Sequence, residues 1–320
     1  MRFARALALL PFCAGCDQPL EHVTVGGSVP AASPATVAAG DRVTDRFPTS
    51  SDDLAFVPLE HASLLFVWRG AAIYVDPTSP AIDDASLPKA DLVLVTGPHY
   101  DHLDPFALQR LMKQGTVVVG SAGADARMPM NIAMHEGDAR RLLPGLEITA
   151  VPAYSLSRGP GPGLLYHDRG QALGYVLDFD GTRLYVSGDT ECTPEQRALA
   201  NVDVAFVSMN VPYAMTPAEA TTCVAAFRPK VVFPYAYRHA TPSTLDPTAL
   251  GPGIEVRRRE FYERAAKARA GAYAAFAHGM WGAADDKLDE ARQLDPAGEA
   301  DWRVKWTRQW LRECERAWPW

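Results

Sequence analysis

Between about residue 43 and residue 262 the apolar positions fall in short runs broken by turn residues, a pattern of buried strands rather than helices. Leu64–Val67 and Ala72–Val75 pair through Arg69-Gly70 as a hairpin. Gly174–Phe179 and Arg183–Ser187 flank Asp180-Gly181, the strongest short hairpin signal in the chain. Leu92–Val95, Thr116–Gly120, Leu146–Val151, Val204–Met209 and Val231–Phe233 are further strand runs. Helix starts interrupt them. Asp104 caps a helix over Phe106–Gln114, with Pro105 at its first position and Gly115 as its stop. Thr193-Pro-Glu-Gln and Thr216-Pro-Ala-Glu each supply a capping threonine, a proline and an acid or amide. Helices alternating with strand-only stretches predict a mixed α/β sandwich instead of a simple doubly wound sheet. Ser157–Gly163, with three glycines and two prolines, is a turn-rich loop suited to overhang a site.

The two ends read differently. Arg2 and Arg5 precede a short apolar stretch over residues 6–14, too short to span a bilayer. Cys13-Ala-Gly-Cys16 resembles a bacterial lipoprotein cleavage box, which makes Cys16 the lipidated residue, and Asp17 resembles an inner-membrane retention signal. Residues 17–42, rich in Pro, Gly, Ala, Ser and Thr, read as a disordered tether. The expectation is an exported protein, lipid-anchored at the periplasmic face of the bacterial inner membrane and touching the membrane only through that anchor. An ordinary secretory peptide is the alternative. Residues 263–320 are a helical extension. There Gly279, Trp281, Ala284, Leu288, Ala291 and Pro296 have the spacing of a tetratricopeptide unit, followed by a capping helix over Glu299–Arg316. Such a unit packs on the main domain or offers a surface to a protein partner. The tryptophan stripe there, which includes Trp302, Trp306 and Trp310, reads as core.

At 320 residues, 48% hydrophobic and 22% charged, the chain has room for one large domain and a smaller one. A net charge of −7 without any basic stripe argues against a sequence-independent nucleic-acid surface. If Cys13 and Cys16 belong to the export segment, Cys192, Cys223 and Cys314 remain; three cannot all pair, so a disulfide framework is not expected.

The candidate chemistry lies in Ala90–Pro105, read as strand, turn and helix start. His99, Asp101 and His102 share the strand-to-helix loop, where two imidazoles and a carboxylate can converge on one cation without help from distant chain. A plain polar loop, with Asp104 only capping its helix, is the alternative.

Thr96-Gly-Pro-His-Tyr-Asp-His resembles the Thr-His-x-His-x-Asp-His signature of the metallo-β-lactamase superfamily. Pro58-Leu-Glu-His-Ala-Ser-Leu, Val151-Pro-Ala-Tyr, Ser187-Gly-Asp-Thr and Val232-Phe-Pro-Tyr-Ala-Tyr-Arg are similar, in the same order, to four further motifs of that superfamily. The branch it is most similar to includes ascorbate-6-phosphate lactonases and phospholipase-D-like hydrolases. The resemblance implies a four-layer αββα sandwich over residues 43–262, with Asp101, His102 and Asp189 around one metal and His99 as the remainder of another. Gly97, Ser155 and Ala236 stand where members usually carry imidazole or amide ligands. That argues for one divalent ion, zinc or else manganese or iron, instead of a full two-metal clamp. His61, a lone histidine before the first hairpin, is left outside the ligand set. His167, Arg238 and His239 are candidates for contacting substrate, Arg238 through a bidentate grip on an anionic group.

The function implied is a metal-dependent hydrolase of an ester, lactone or phosphodiester, acting on a small-molecule or lipid-like substrate. Asp101 and Asp189 would orient the attacking water. A non-catalytic binding or scaffold lipoprotein is the competing reading, and a two-metal centre completed by His239 or His167 is the third.

Overall fold

The computed structural model describes residues 45–79, 81–82, 87–237, 245–259, 261, 263–294 and 302–317; Cys16, the export segment, the tether at 17–42, Arg238 and His239 lie outside them. The strand runs form two seven-stranded sheets. The first comprises β1 (Asp45–Pro48), β2 (Asp53–Pro58), β3 (Leu64–Trp68), β4 (Ala71–Val75), β5 (Leu92–Val95), β6 (Val117–Ser121) and β7 (Ile132–Met134) in sequential order. The second comprises β8 (Ala139–Leu143), β9 (Leu146–Ala153), β10 (Ala172–Phe179), β11 (Thr182–Val186), β12 (Val204–Ser208), β13 (Val231–Tyr235) and β14 (Glu255–Val256). In each, the first four strands form an antiparallel meander and the last three continue it in parallel. The chain thus lays down one plan twice.

The period of two decides which face each side chain takes. Leu64, Phe66 and Trp68 join the core between the sheets, where Phe56, Phe66, Phe206 and Phe233 pack edge to face or stacked. Leu65, Tyr74 and Val93 face outward onto Leu108 and Leu111 of helix α1 (Pro105–Leu111) and Ala124 of α2 (Ala122–Arg127). On the far side, Phe227 of α4 (Pro217–Phe227) meets Tyr185, and α3 (Pro194–Arg197) and α5 (Pro247–Leu250) complete that layer. The expected four-layer αββα sandwich is the fold.

The local signals hold in detail. Asp104 accepts from the backbone N–H of Phe106 and Ala107, and Thr216 and Glu219 form a reciprocal capping box. Asp180 and Gly181 both have positive φ, 47° and 95°, as a type I′ hairpin turn demands. Helix α1 ends at Leu111, before Gly115, whose φ of 87° turns the chain toward β6.

Two expectations need correction. Cys192 and Cys223 form a disulfide that ties the segment after Asp189 to α4, so a pair exists where a framework does not. The tryptophan stripe is not core. Helices α6 (Glu263–Ala277), α7 (Trp281–Leu294) and α8 (Trp302–Ala317) share their own apolar cluster, to which α8 contributes Val304 and Leu311. With those on its buried face, Trp302 and Trp306 remain 70% and 52% exposed. They line, with Tyr273, Phe276, Arg303 and Thr307, a cavity of about 420 Å³.

Candidate metal centre

Strand β5 ends at Val95, and the loop that follows turns sharply, with the N–H groups of His102 and Leu103 both donating to the His99 carbonyl. That turn directs His102 inward, leaving it 2% exposed. Its Nδ1 lies 2.7 Å from Asp76 Oδ2, and Asp76 in turn accepts from Thr96 N and Oγ1 at 2.7 and 2.6 Å. Asp76 is a carboxylate, so the shared proton sits on Nδ1 and Nε2 is aimed at the site. This is the carboxylate–imidazole arrangement that orients metal ligands. The sequence showed Asp76 only as the end of a hairpin.

His61, left outside the ligand set on sequence, lies beside Asp101 and His102 in the structure. The turn between β2 and β3 holds it at φ 53°, 4% exposed, with Nε2 3.1 Å from Asp101 Oδ2. One donor atom each from His61, Asp101 and His102 lie within 4.8 Å of one another. The only sequence signal was position, immediately before the first hairpin.

Asp189 arrives from the other sheet. Gly188 before it has φ 62°, and a Cβ there would meet the Thr96 side chain at 3.0 Å, so only glycine lets the end of β11 come this close to the end of β5. Ser208 Oγ and Asn210 Nδ2 donate to the two Asp189 oxygens at 2.6 and 2.9 Å. Oδ2 then stands 3.5 Å from His102 Nε2, close in charge but too long for a good hydrogen bond. Burial opposes the Asp189 charge, yet the adjacent His102 outweighs it and brings the carboxyl to about 2. Burial likewise opposes protonation of His102, while Asp76 and Asp101 raise its pKa well above the ordinary value.

His99 leans away from this cluster. Its Nδ1 lies 3.1 Å from Nε2 of His167, which comes from the long loop between β9 and β10. That loop folds back on Ser155: Ser155 N donates to the His167 carbonyl at 2.9 Å, and His167 N donates to Ser155 Oγ at 3.3 Å. Glu191, two residues past Asp189, holds the loop by accepting from the N–H groups of Leu156, Ser157 and Arg158. Arg158 also forks onto Glu219 of α4. Ala236, buried at φ 49°, brings no donor to the centre.

The donor set fits a divalent cation. Neutral imidazoles and carboxylates are borderline-hard ligands suited to zinc, manganese or iron. Among the described residues, His102 Nε2, the nitrogen aimed at the site, is buried without a hydrogen-bond partner. Outside a metal site such groups are costly.

The comparisons agree with this geometry. A family model described as the beta-lactamase superfamily domain matches residues 57–236. A UPF0173 metal-dependent hydrolase of Pelotomaculum thermopropionicum is 30% identical over 52% of this chain and 75% of its own length. In structure, the chain is similar to a metal-dependent hydrolase assignment from Parabacteroides distasonis, with TM-score 0.64 and 37% identity over 68% of this chain and 99% of the other. It also shares the fold of Igni18, a metallo hydrolase of Ignicoccus hospitalis, with TM-score 0.52 and 23% identity over 65% and 95% of the two chains. With its fold, its strand-end donors and a domain match over more than half its length, the chain belongs to the metallo-β-lactamase superfamily, within the UPF0173 metal-dependent hydrolase family.

Proposed function

We propose that the protein hydrolyses an ester, lactone or phosphodiester carrying an apolar group, using a divalent ion held by His61, Asp101, His102 and Asp189. The observation that carries this reading is the 3.5 Å approach of Asp189 to His102, which joins donors far apart in sequence around one position. When bound, the ion supplies a water acidic enough to ionise near neutral pH and a positive charge for the substrate oxygen that becomes anionic. The chain's own groups do the rest. Asp76 holds His102 in one tautomer, and Ser208 and Asn210 fix the Asp189 carboxylate. Asp101, aligned by His61, and Asp189 accept hydrogen bonds from the attacking water and orient it.

The apolar preference follows from the rim. Several loops that bring a site residue also carry an exposed apolar neighbour: Tyr100 beside His99 and Asp101, Leu156 beside Ser155, and Val211 and Tyr213 after Asn210, at 75%, 49%, 38% and 41% exposure. Tyr166, next to His167, packs on Tyr213 with ring centroids 4.8 Å apart. Exposed apolar side chains beside a polar centre suit a recognition surface. An exported location is part of the same proposal, supported by the Cys192–Cys223 disulfide, since such bonds persist in oxidising compartments.

The test is turnover of short- and long-chain p-nitrophenyl esters, a lactone series and bis-p-nitrophenyl phosphate by the full chain, before and after chelation and reloading with zinc, manganese or ferrous iron. Activity should disappear on chelation and return with one of the ions, and Asp189→Ala should lower kcat/KM by about 10²-fold or more. Turnover indifferent to both treatments overturns the proposal and favours the non-catalytic reading, which the loss of ligands at Gly97, Ser155 and Ala236 motivates.

A further inference from the structure

We propose that His167 replaces the third-strand ligand missing at Ser155 and, with His99, forms a second cation position next to the one built on His61, Asp101 and His102. The inference rests on the metal-dependent reading of the centre and adds an ion to it.

Three observations carry it. First, the nitrogens are at the right separation: two imidazoles on one tetrahedral zinc, each about 2.0–2.1 Å from it, stand about 3.3 Å apart, and His99 Nδ1 and His167 Nε2 are 3.1 Å apart. Second, the loop is built to deliver that ring. The serine at 155 is small enough for the 167 backbone to lie against it in two hydrogen bonds, and Glu191 fixes the preceding residues from the strand end that also carries Asp189. Third, the ring that His167 brings is buried, 2% exposed, so this imidazole meets His99 inside the protein.

The full chain, stripped of metal and incubated with excess zinc, is passed through gel filtration and its metal content measured. Cobalt loading gives a parallel absorption spectrum that reports ligand number. Wild type should hold about two equivalents. His167→Ala and the milder His167→Gln should each hold about one, with unchanged circular dichroism, while Asp101→Ala keeps the ion at His99 and His167. One equivalent in wild type that Asp101→Ala removes and His167→Ala does not would overturn the inference and leave the hydrolase reading standing. Two equivalents unchanged in both His167 variants would also overturn it. No bound zinc in wild type would sink both.

Discussion

Asp76 is the residue whose replacement says most about how the centre is held. In the metal-free protein His102 sits between Asp76 on one nitrogen and Asp101 and Asp189 on the other, and the two carboxylates that raise its pKa most keep it protonated near neutral pH. A divalent cation entering beside Nε2 therefore displaces a proton. Calorimetric zinc titrations in buffers of different ionisation enthalpy should show about one proton released at pH 7. Asp76→Asn should weaken zinc binding about 10–100-fold, the usual cost of losing such an orienting carboxylate, and reduce that release. An unchanged affinity, measured by competition with a chromophoric chelator, would show that Asp76 serves packing alone. At this scale the sequence is legible where donors are contiguous. His99, Asp101 and His102 lie within four positions and announce themselves. Asp76 does not, because an aspartate before proline at a strand end reads as a turn. His61 does not either, because a lone histidine carries no partner in its own sequence. Ser208 and Asn210 are found only by knowing which strand lies beside β11.

Among elements, strands and caps are read most easily and connections least. Alternation and turn residues place nine strands near their observed ends, whereas β1, β2, β7, β8 and β14, at the sheet edges or next to them, are not legible that way. The β9–β10 loop is different. Its glycines and prolines say only that it is irregular, whereas its function depends on Glu191, Arg158 and Glu219, which fasten it to the Asp189 segment and to α4. The disulfide from Cys192 to Cys223 closes the same circuit covalently, across a sequence separation of 31. Closing a loop of that length contributes about 3–4 kcal/mol in the chain-entropy picture. Cys192→Ser with Cys223→Ser should accordingly lower unfolding free energy by up to that amount in urea titration. If the wild-type and variant curves superimpose, the bond adds nothing to stability.

For the whole molecule, the sandwich and the C-terminal helices have separate interiors. Phe261 packs with Tyr237 in the inter-sheet core, while Ala272, Ala284, Leu288, Val304 and Leu311 form the helical one. A chain ending after residue 262 should therefore still fold and take up zinc to the same stoichiometry as the full protein. Loss of cooperative melting in that shortened chain would mean that the helices are part of the sandwich's foundation. The duplicated plan has a stricter consequence. Both close pairs at the centre, His102 with Asp189 and His99 with His167, draw one partner from each repeat, so the first repeat alone holds only the His61, Asp101 and His102 cluster and neither repeat carries the whole centre. Chemistry in this architecture belongs to the seam. A substitution among the aromatic rings between the sheets that slid one sheet against the other by an ångström would part both pairs together, because that shared interior sets their register.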